Sequence, residues 1–175
     1  MTAVGTRYQA LLDAGELKPD PDQRRAVLAL DRLAADFQQL GKEQGLWGRL
    51  TAKQPPAPRG IYLWGGVGRG KSMLMDLAFD HGAVEPKRRV HFHAFMIETH
   101  QRLREARKSE DGDPIDAVAQ VIAEEAQFLA FDEMQVTNPA DAMILSRLFE
   151  KLLDRGVRVI ATSNRPPRDL YKDGL

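Results

Sequence analysis

Apolar positions along this chain switch between a helical period and short unbroken runs, and the switching predicts the order of elements. Tyr8, Leu11 and Leu12 share one face of a short helix over residues 5–15, with Gly15 as its stop. Asp20, Pro21 and Gln23 then make a capping-box-like start for a second helix. Its stripe of Val27, Leu30, Leu33, Ala34, Phe37 and Leu40 is spaced to pack on a sheet. Residues 41–60 carry Gly41, Gly45, Gly48, Pro55, Pro56 and Pro58 and read as a loop or linker, pinned by Trp47 and Leu50. Gly60 to Trp64 is a first strand, and Met73 to Phe79 is a helix. Arg88 to Phe95 reads as a second strand, followed by a helix from Met96 to Lys108 and a polar loop from Ser109 to Pro114. Ile115, Val118, Ala119 and Ile122 mark the next helix, and Gln127 to Glu133 is an apolar strand ending in two acids. Asn138 and Pro139 open a helix with Leu145, Leu148, Phe149 and Leu152 inward and Gly156 as its stop. Val157 to Asn164 is the fourth strand, and Arg165 to Leu175 a polar tail.

Strands alternating with helices predict an α/β fold with a mainly parallel sheet, whose ligands bind beyond the carboxyl ends of the strands. Three stretches meet at that edge. The first is Gly65-Gly66-Val67-Gly68-Arg69-Gly70-Lys71-Ser72, which fits the phosphate-binding loop of nucleoside triphosphatases without a mismatch. Backbone N–H groups can surround a phosphate only where no Cβ intervenes, and four of the six residues from Gly65 to Gly70 are glycine. Lys71 would reach the β- and γ-phosphates, and the Ser72 hydroxyl would ligate Mg²⁺. A helix beginning near Gly70 and running through Met73 would turn its positive end to the same phosphates.

The other two stretches supply the remaining chemistry. Asp132 fits the acid that holds Mg²⁺, directly or through water, and Glu133 fits the general base that activates the attacking water. Asn164 would hold that water or the γ-phosphate in line. The bland alternatives are an apolar strand ending in solvated acids, and an ordinary turn residue at the end of strand four. Placement downstream of a complete phosphate loop favours the catalytic reading. His91, His93 and His100 raise zinc as a candidate, but they lack a recognised ligand spacing with carboxylate or cysteine, so packing and hydrogen bonding are expected of them. Lys87-Arg88-Arg89 is too short a basic run to argue for nucleic acid and reads as a solvated strand entrance.

Composition narrows the class. Lys plus Arg and Asp plus Glu number 25 each, so no global field draws the chain to DNA or anionic lipid. The absence of cysteine excludes disulfides, thiolate metal sites and cysteine catalysis. Neither a signal core nor an apolar run of membrane-spanning length is present, which suits a soluble, cytoplasmic protein and leaves room for peripheral membrane association.

These motifs resemble one family of AAA+ ATPases, the bacterial ZapE cell-division proteins with their mitochondrial Afg/LACE-type relatives. The resemblance rests on Tyr62-Leu63-Trp64-Gly65, on Arg89 to Met96 with His100, and on Phe131 to Thr137. It extends through Ala140 to Leu145, Ala161 to Asn164 and Asp169 to Leu175, and so covers nearly the whole chain. It implies a three-layer P-loop NTPase of AAA+ type, with residues 1–58 as N-terminal helices and linker and 59–175 as the nucleotide-binding core. By the same resemblance Gly65 to Ser72 is the Walker A loop, Asp132 and Glu133 the Walker B pair, Asn164 the sensor-1 residue, and Gln23 a neighbour of the adenine. ATP or ADP with Mg²⁺, self-association into an AAA+ oligomer, and a division-ring or other protein partner are implied as well.

AAA+ modules order their strands 5-1-4-3-2 and continue past sensor 1 into a fifth strand, an arginine finger and a helical lid. The sequence ends at Leu175, before these parts. The expectation is therefore an N-terminal portion with the first strand as a bare edge, weakened nucleotide binding and hydrolysis near background. Two rival readings stay open. A helicase-loader or transposition-helper ATPase would bind single-stranded DNA with a steep salt dependence. A non-catalytic interaction module would bind partners without turnover.

Overall fold

The computed structural model describes residues 3–43, 60–81, 84–108 and 112–170, with side chains outside 36–43. The expected linker anchors Trp47 and Leu50, the side chains of Phe37 and Leu40, and the tail from residue 171 onward lie outside the described residues. In chain order the elements are α1 (Ala3–Asp13), α2 (Pro21–Glu43), β1 (Ile61–Trp64), α3 (Lys71–His81), β2 (Lys87–His91), α4 (Phe92–Ala106), α5 (Pro114–Glu125), β3 (Phe128–Asp132), α6 (Pro139–Asp154) and β4 (Arg158–Ser163). A short 3₁₀ turn follows at Pro167–Asp169.

The four strands form one parallel sheet in the order β1-β4-β3-β2. β4 therefore inserts between the first strand and the third, and among the described residues β1 pairs with β4 alone. Helices cover both faces, giving three layers, as the alternating pattern requires. On one face Ile61, Leu63, Phe128, Ala130 and Ile160 meet Val4, Tyr8, Val27 and Leu30 of α1 and α2 and Leu74 and Met75 of α3. On the other, Leu129, Phe131, Val159 and Ala161 meet Phe92, Phe95 and Leu103 of α4, Val118 and Ile122 of α5, and Leu148 and Leu152 of α6. The two central strands are covered on both sides, so β3 is an apolar run and all six residues of β4 are buried.

Capping follows the side chains present. Asp113 and Asn138 accept hydrogen bonds from Ile115 N and Ala140 N, and each is followed by a proline in the first turn. Asp20 Oδ1 accepts from Asp22 N (2.7 Å) and Gln23 N (3.3 Å) at the start of α2. The capping box is only half made, because the Gln23 amide turns away to the phosphate loop instead of returning to Asp20.

One element departs from its expected span. The second strand ends at His91, and Phe92 to Phe95 belong to α4. His91 and His93 therefore do not alternate on one strand face. The deciding period is that of Phe92, Phe95, Met96, Thr99 and Leu103, which are all buried at helical spacing against the sheet. A β-favouring composition yields here to tertiary burial.

Phe131 is the centre of an aromatic cluster. Its ring lies 4.7 Å from Phe95, 5.7 Å from Phe149 and 5.9 Å from Phe92, centroid to centroid. At the edge of the same layer Arg88 forks onto Glu98, and Arg102 bonds Glu98 (2.6 Å) and Glu125 (2.7 Å), tying β2, α4 and α5. Arg88, with Arg102 beside it, holds the Glu98 carboxyl below its ordinary value of 4.5.

Truncation at the aromatic hub, Phe131→Ala, is expected to cost about 3–5 kcal/mol of unfolding free energy by urea titration. The exposed Met143→Ala should stay within about 0.5 kcal/mol. For Glu98 the folded-state value is the lower one, so its stabilisation is present above about pH 4.5 and is lost as pH falls through the folded value. The stability gap between wild type and Glu98→Gln should therefore hold from neutral pH down to that point and shrink below it, as followed by melts across pH.

Candidate functional site

The carboxyl ends of β1, β3 and β4 converge on a cleft of about 400 Å³ lined by Val67 to Met73, Glu133, Thr162, Ser163 and Asn164. The loop between β1 and α3 forms its floor. It starts from a bond of Gly65 N to Ser163 O on β4 (3.3 Å) and turns on positive φ angles at Gly65 (147°), Gly68 (78°) and Gly70 (77°). A Cβ added at Gly66 or Gly68 would meet nothing within 4 Å, so the bare backbone there faces open space. At Gly70 the same atom would lie 2.8 Å from Gln23 Nε2, so α2 packs directly behind the loop.

Lys71 opens α3, and its ammonium donates to Gly65 O (2.8 Å), Gly66 O (2.8 Å) and Asn164 Oδ1 (2.9 Å). Three donors thus meet three uncharged acceptors, and β1, α3 and β4 are joined at one cation. Glu133 is exposed and holds a left-handed backbone, φ 56°, a conformation that costs a non-glycine residue of order 1–3 kcal/mol. One β4 residue holds it there with two acceptors: Glu133 N donates to Thr162 Oγ1 (3.1 Å) and Met134 N to Thr162 O (2.7 Å). Ser163 Oγ donates to Met134 O (2.7 Å) and accepts from Arg165 N (3.2 Å), and Tyr62 Oη donates to Arg165 O (2.8 Å). Burial raises the Tyr62 phenol above its ordinary value and keeps it a donor.

The sequence-derived residues separate into those on the cleft and those beside it. Gly68, Arg69, Gly70, Lys71, Ser72, Met73, Glu133 and Asn164 line it together with Val67. Asp132 ends β3 at the same edge, but its carboxylate is held by Arg89, with Nε to Oδ2 at 2.7 Å and Nη2 to Oδ1 at 3.1 Å. Arg89 also bonds Asp76 of α3 through Nη1. Gln23 spends its amide on Arg69 O (3.2 Å) and on the Tyr8 hydroxyl (3.2 Å), while the Arg69 guanidinium reaches Asp22 (2.7 Å) and Asp20 (3.4 Å).

The basic run is not a solvated strand entrance. Lys87 bonds Phe79 O (2.9 Å), Arg88 pairs with Glu98, and Arg89 spans Asp76 and Asp132. His91 and His93 are exposed rather than packed, and His100 Nε2 meets Asp141 Oδ1 at 2.6 Å. Among the described residues no group of three or more His, Cys, Asp or Glu side chains is gathered to hold a metal by itself. Sequence reasoning missed Thr162, Arg89, Asp76, Tyr8 and Asp22. Strand alternation was the available signal for Arg89, whose partner in register is Ala130, two residues before Asp132. A second groove of about 450 Å³ lies between α4 and α5, away from the loop and from the acids of β3.

The donor set fits a nucleoside phosphate chain. It combines an unobstructed glycine backbone, a helix N-terminus and a lysine on uncharged acceptors. Ser72 and Asp132 are the hard oxygens that suit Mg²⁺.

A family model described as AFG1-like ATPase matches residues 2–175. Cell division protein ZapE of Escherichia coli (strain K12) is 36% identical over 184 residues, covering 97% of this chain and 48% of that protein. Lactation elevated protein 1 homolog B of Danio rerio is 36% identical over 219 residues, covering 97% of this chain and 44% of that protein. The chain thus spans about half the length of the curated relatives it matches. Among solved structures, AMPPCP-bound DnaA from Aquifex aeolicus superposes with a TM-score of 0.53 at 16% identity, over 91% of this chain and 43% of that one, which shows the fold alone. Among the described residues no helix is long and apolar enough to cross a membrane.

Gly70→Ala combines a strained φ with a clash on Gln23 and is expected to cost about 1–3 kcal/mol of stability. In a Gln23→Ala background only the strain remains, so the cost should fall; equal costs in both backgrounds by denaturant titration would show that the contact is immaterial.

Proposed function

The chain belongs to the AFG1-like ATPase family of AAA+ proteins, and on that premise we propose that it binds ATP and ADP with Mg²⁺ in the cleft above Gly65–Ser72 and hydrolyses ATP there. The observation that carries the reading is Lys71, seated on two loop carbonyls and on Asn164, with Glu133 facing the same cleft. The phosphate chain would take the N–H groups of Gly66 to Ser72, and Lys71 would exchange carbonyl acceptors for phosphate oxygens. Ser72 and Asp132 would hold Mg²⁺, which neutralises charge on the β- and γ-phosphates. Glu133 accepts the proton of the attacking water, and the bonds of Glu133 N and Met134 N to Thr162 fix its backbone at the edge of the cleft. Asn164 keeps that water or the γ-phosphate in line. Gln23 supports the loop from behind, at the end of the site where the base would emerge.

Partners belong to the same proposal. ZapE is by name a cell division protein, and we infer a cytoplasmic protein partner of that kind, with self-association into an AAA+ oligomer. Zero net charge favours protein over nucleic acid as the substrate.

Equilibrium binding of a fluorescent ADP analogue with Mg²⁺ tests the reading. The wild-type chain should bind in the micromolar range, and Lys71→Ala should weaken binding beyond detection while circular dichroism stays unchanged. Binding that survives Lys71→Ala would remove the cleft as the site. Glu133→Gln should leave binding within about twofold and abolish whatever ATP hydrolysis the wild-type chain shows, since a general base ordinarily contributes about 10²- to 10⁴-fold.

A further inference from the structure

We propose that Arg89 governs the access of Mg²⁺ to Asp132, with Asp76 as the acid that receives the guanidinium when Asp132 lets it go. The inference rests on Asp132 serving as a metal ligand in the functional reading above. Arg89 pairs in register with Ala130 and His91 with Asp132, so Arg89 and Asp132 project from one face of the sheet. That face packs on α3, where Leu74, Met75 and Ala78 share a core with Ala130. Ser72 and Asp76 stand four residues apart on α3, one turn above the other on a common side. Arg89 thus enters at the point where Ser72 and Asp132 would close on the ion.

The contacts explain why the two cations compete. Both Asp132 oxygens already accept a charge-assisted bond, at 2.7 and 3.1 Å, and that side chain is only 13% exposed. A divalent ion approaching the same carboxylate meets a fixed positive charge in a poorly screened place. The guanidinium has a second acceptor in hand, since Nη1 bonds Asp76, whose side chain is 45% exposed and better solvated. Transfer of Arg89 toward Asp76 frees Asp132 without leaving the guanidinium unpaired. Arg89 is on this account a positioning residue with two alternative acids, and it acts through Asp132 rather than on the nucleotide.

The plain alternative is a static fastener that joins β2, β3 and α3. A Mg²⁺ titration of fluorescent-ADP binding to the whole chain, with a parallel arm in EDTA, separates the two. Arg89→Met should lower the Mg²⁺ midpoint about fivefold, the scale of one partly exposed charge interaction. Arg89→Lys, which keeps the charge but loses the fork, should fall between wild type and Arg89→Met. Asp76→Asn removes the alternative acceptor and should raise the midpoint. Binding in EDTA should stay within about twofold for all three. An unchanged or raised midpoint in Arg89→Met overturns the inference and leaves the fastener. Should Arg89→Met fail to fold by circular dichroism, an unmoved or lowered midpoint in Asp76→Asn overturns it as well. Wild-type binding that ignores Mg²⁺ overturns the functional reading and the inference with it.

Discussion

The end of β4 holds the site together. Ser163 O takes the first N–H of the phosphate loop, Thr162 takes two N–H groups of the segment after β3, and Asn164 takes the loop lysine. Two chain segments distant in sequence, the phosphate loop and the turn after β3, are thus pinned to one buried strand, which lies centrally because β4 inserts between β1 and β3. Apart from the Lys71–Asn164 contact, these hydrogen bonds run from backbone to backbone or to a short hydroxyl, which carries little rotamer freedom. A pocket framed this way keeps its geometry when the exposed side chains move. The left-handed backbone at Glu133 belongs to the same constraint: the strain of order 1–3 kcal/mol persists because Thr162 supplies two acceptors at that point.

Charge is distributed unevenly over this frame. Lys71 sits only on uncharged oxygens, so its charge is available to an anion without first leaving a carboxylate. The other cations near the loop are committed to acids, Arg69 to Asp20 and Asp22 and Arg89 to Asp76 and Asp132. A site so arranged has one positive point charge on neutral acceptors and two arginines already paired with acids of the turn before α2, of α2, of α3 and of β3. An Arg–carboxylate fork is harder to displace than a lysine contact because two parallel bonds must break together.

The layers, the order of elements, the phosphate loop and the acids of β3 were legible in the sequence because each depends on local period or on spacing within one stretch. Strands β1, β3 and β4 and the caps at Asp20 and Asn138 follow from residues next to one another in the chain. What was not legible depends on contacts between stretches. The β2–α4 boundary is set by burial of Phe92 and Phe95 against Phe131, and the composition of Arg88 to Phe95 alone favours a longer strand. Lys87, Arg88 and Arg89 looked solvated because their acids lie on α3, α4 and β3 or on the turn before the strand. Thr162 looked like any strand residue until β3 was laid beside it.

The N-terminal helices belong to this frame as much as the sheet does. α1 and α2 supply Val4, Tyr8, Val27, Leu30 and Leu33 to the core that also holds Leu63 and Leu74. Gln23 joins the Tyr8 hydroxyl to the Arg69 carbonyl, and Asp20 and Asp22 hold the Arg69 side chain. The individual polar links are worth little, since exposed ion pairs contribute about 0–1 kcal/mol each. The apolar seat beneath them is worth much more, at roughly 1.5–3 kcal/mol for each buried large side chain. The burial sets where α2 lies, and the polar contacts then set how closely its first turn meets Gly70. The position of the first turn of α2 and that of the phosphate loop are therefore set together, by the apolar seat beneath them and by the Gln23, Asp20 and Asp22 contacts above it.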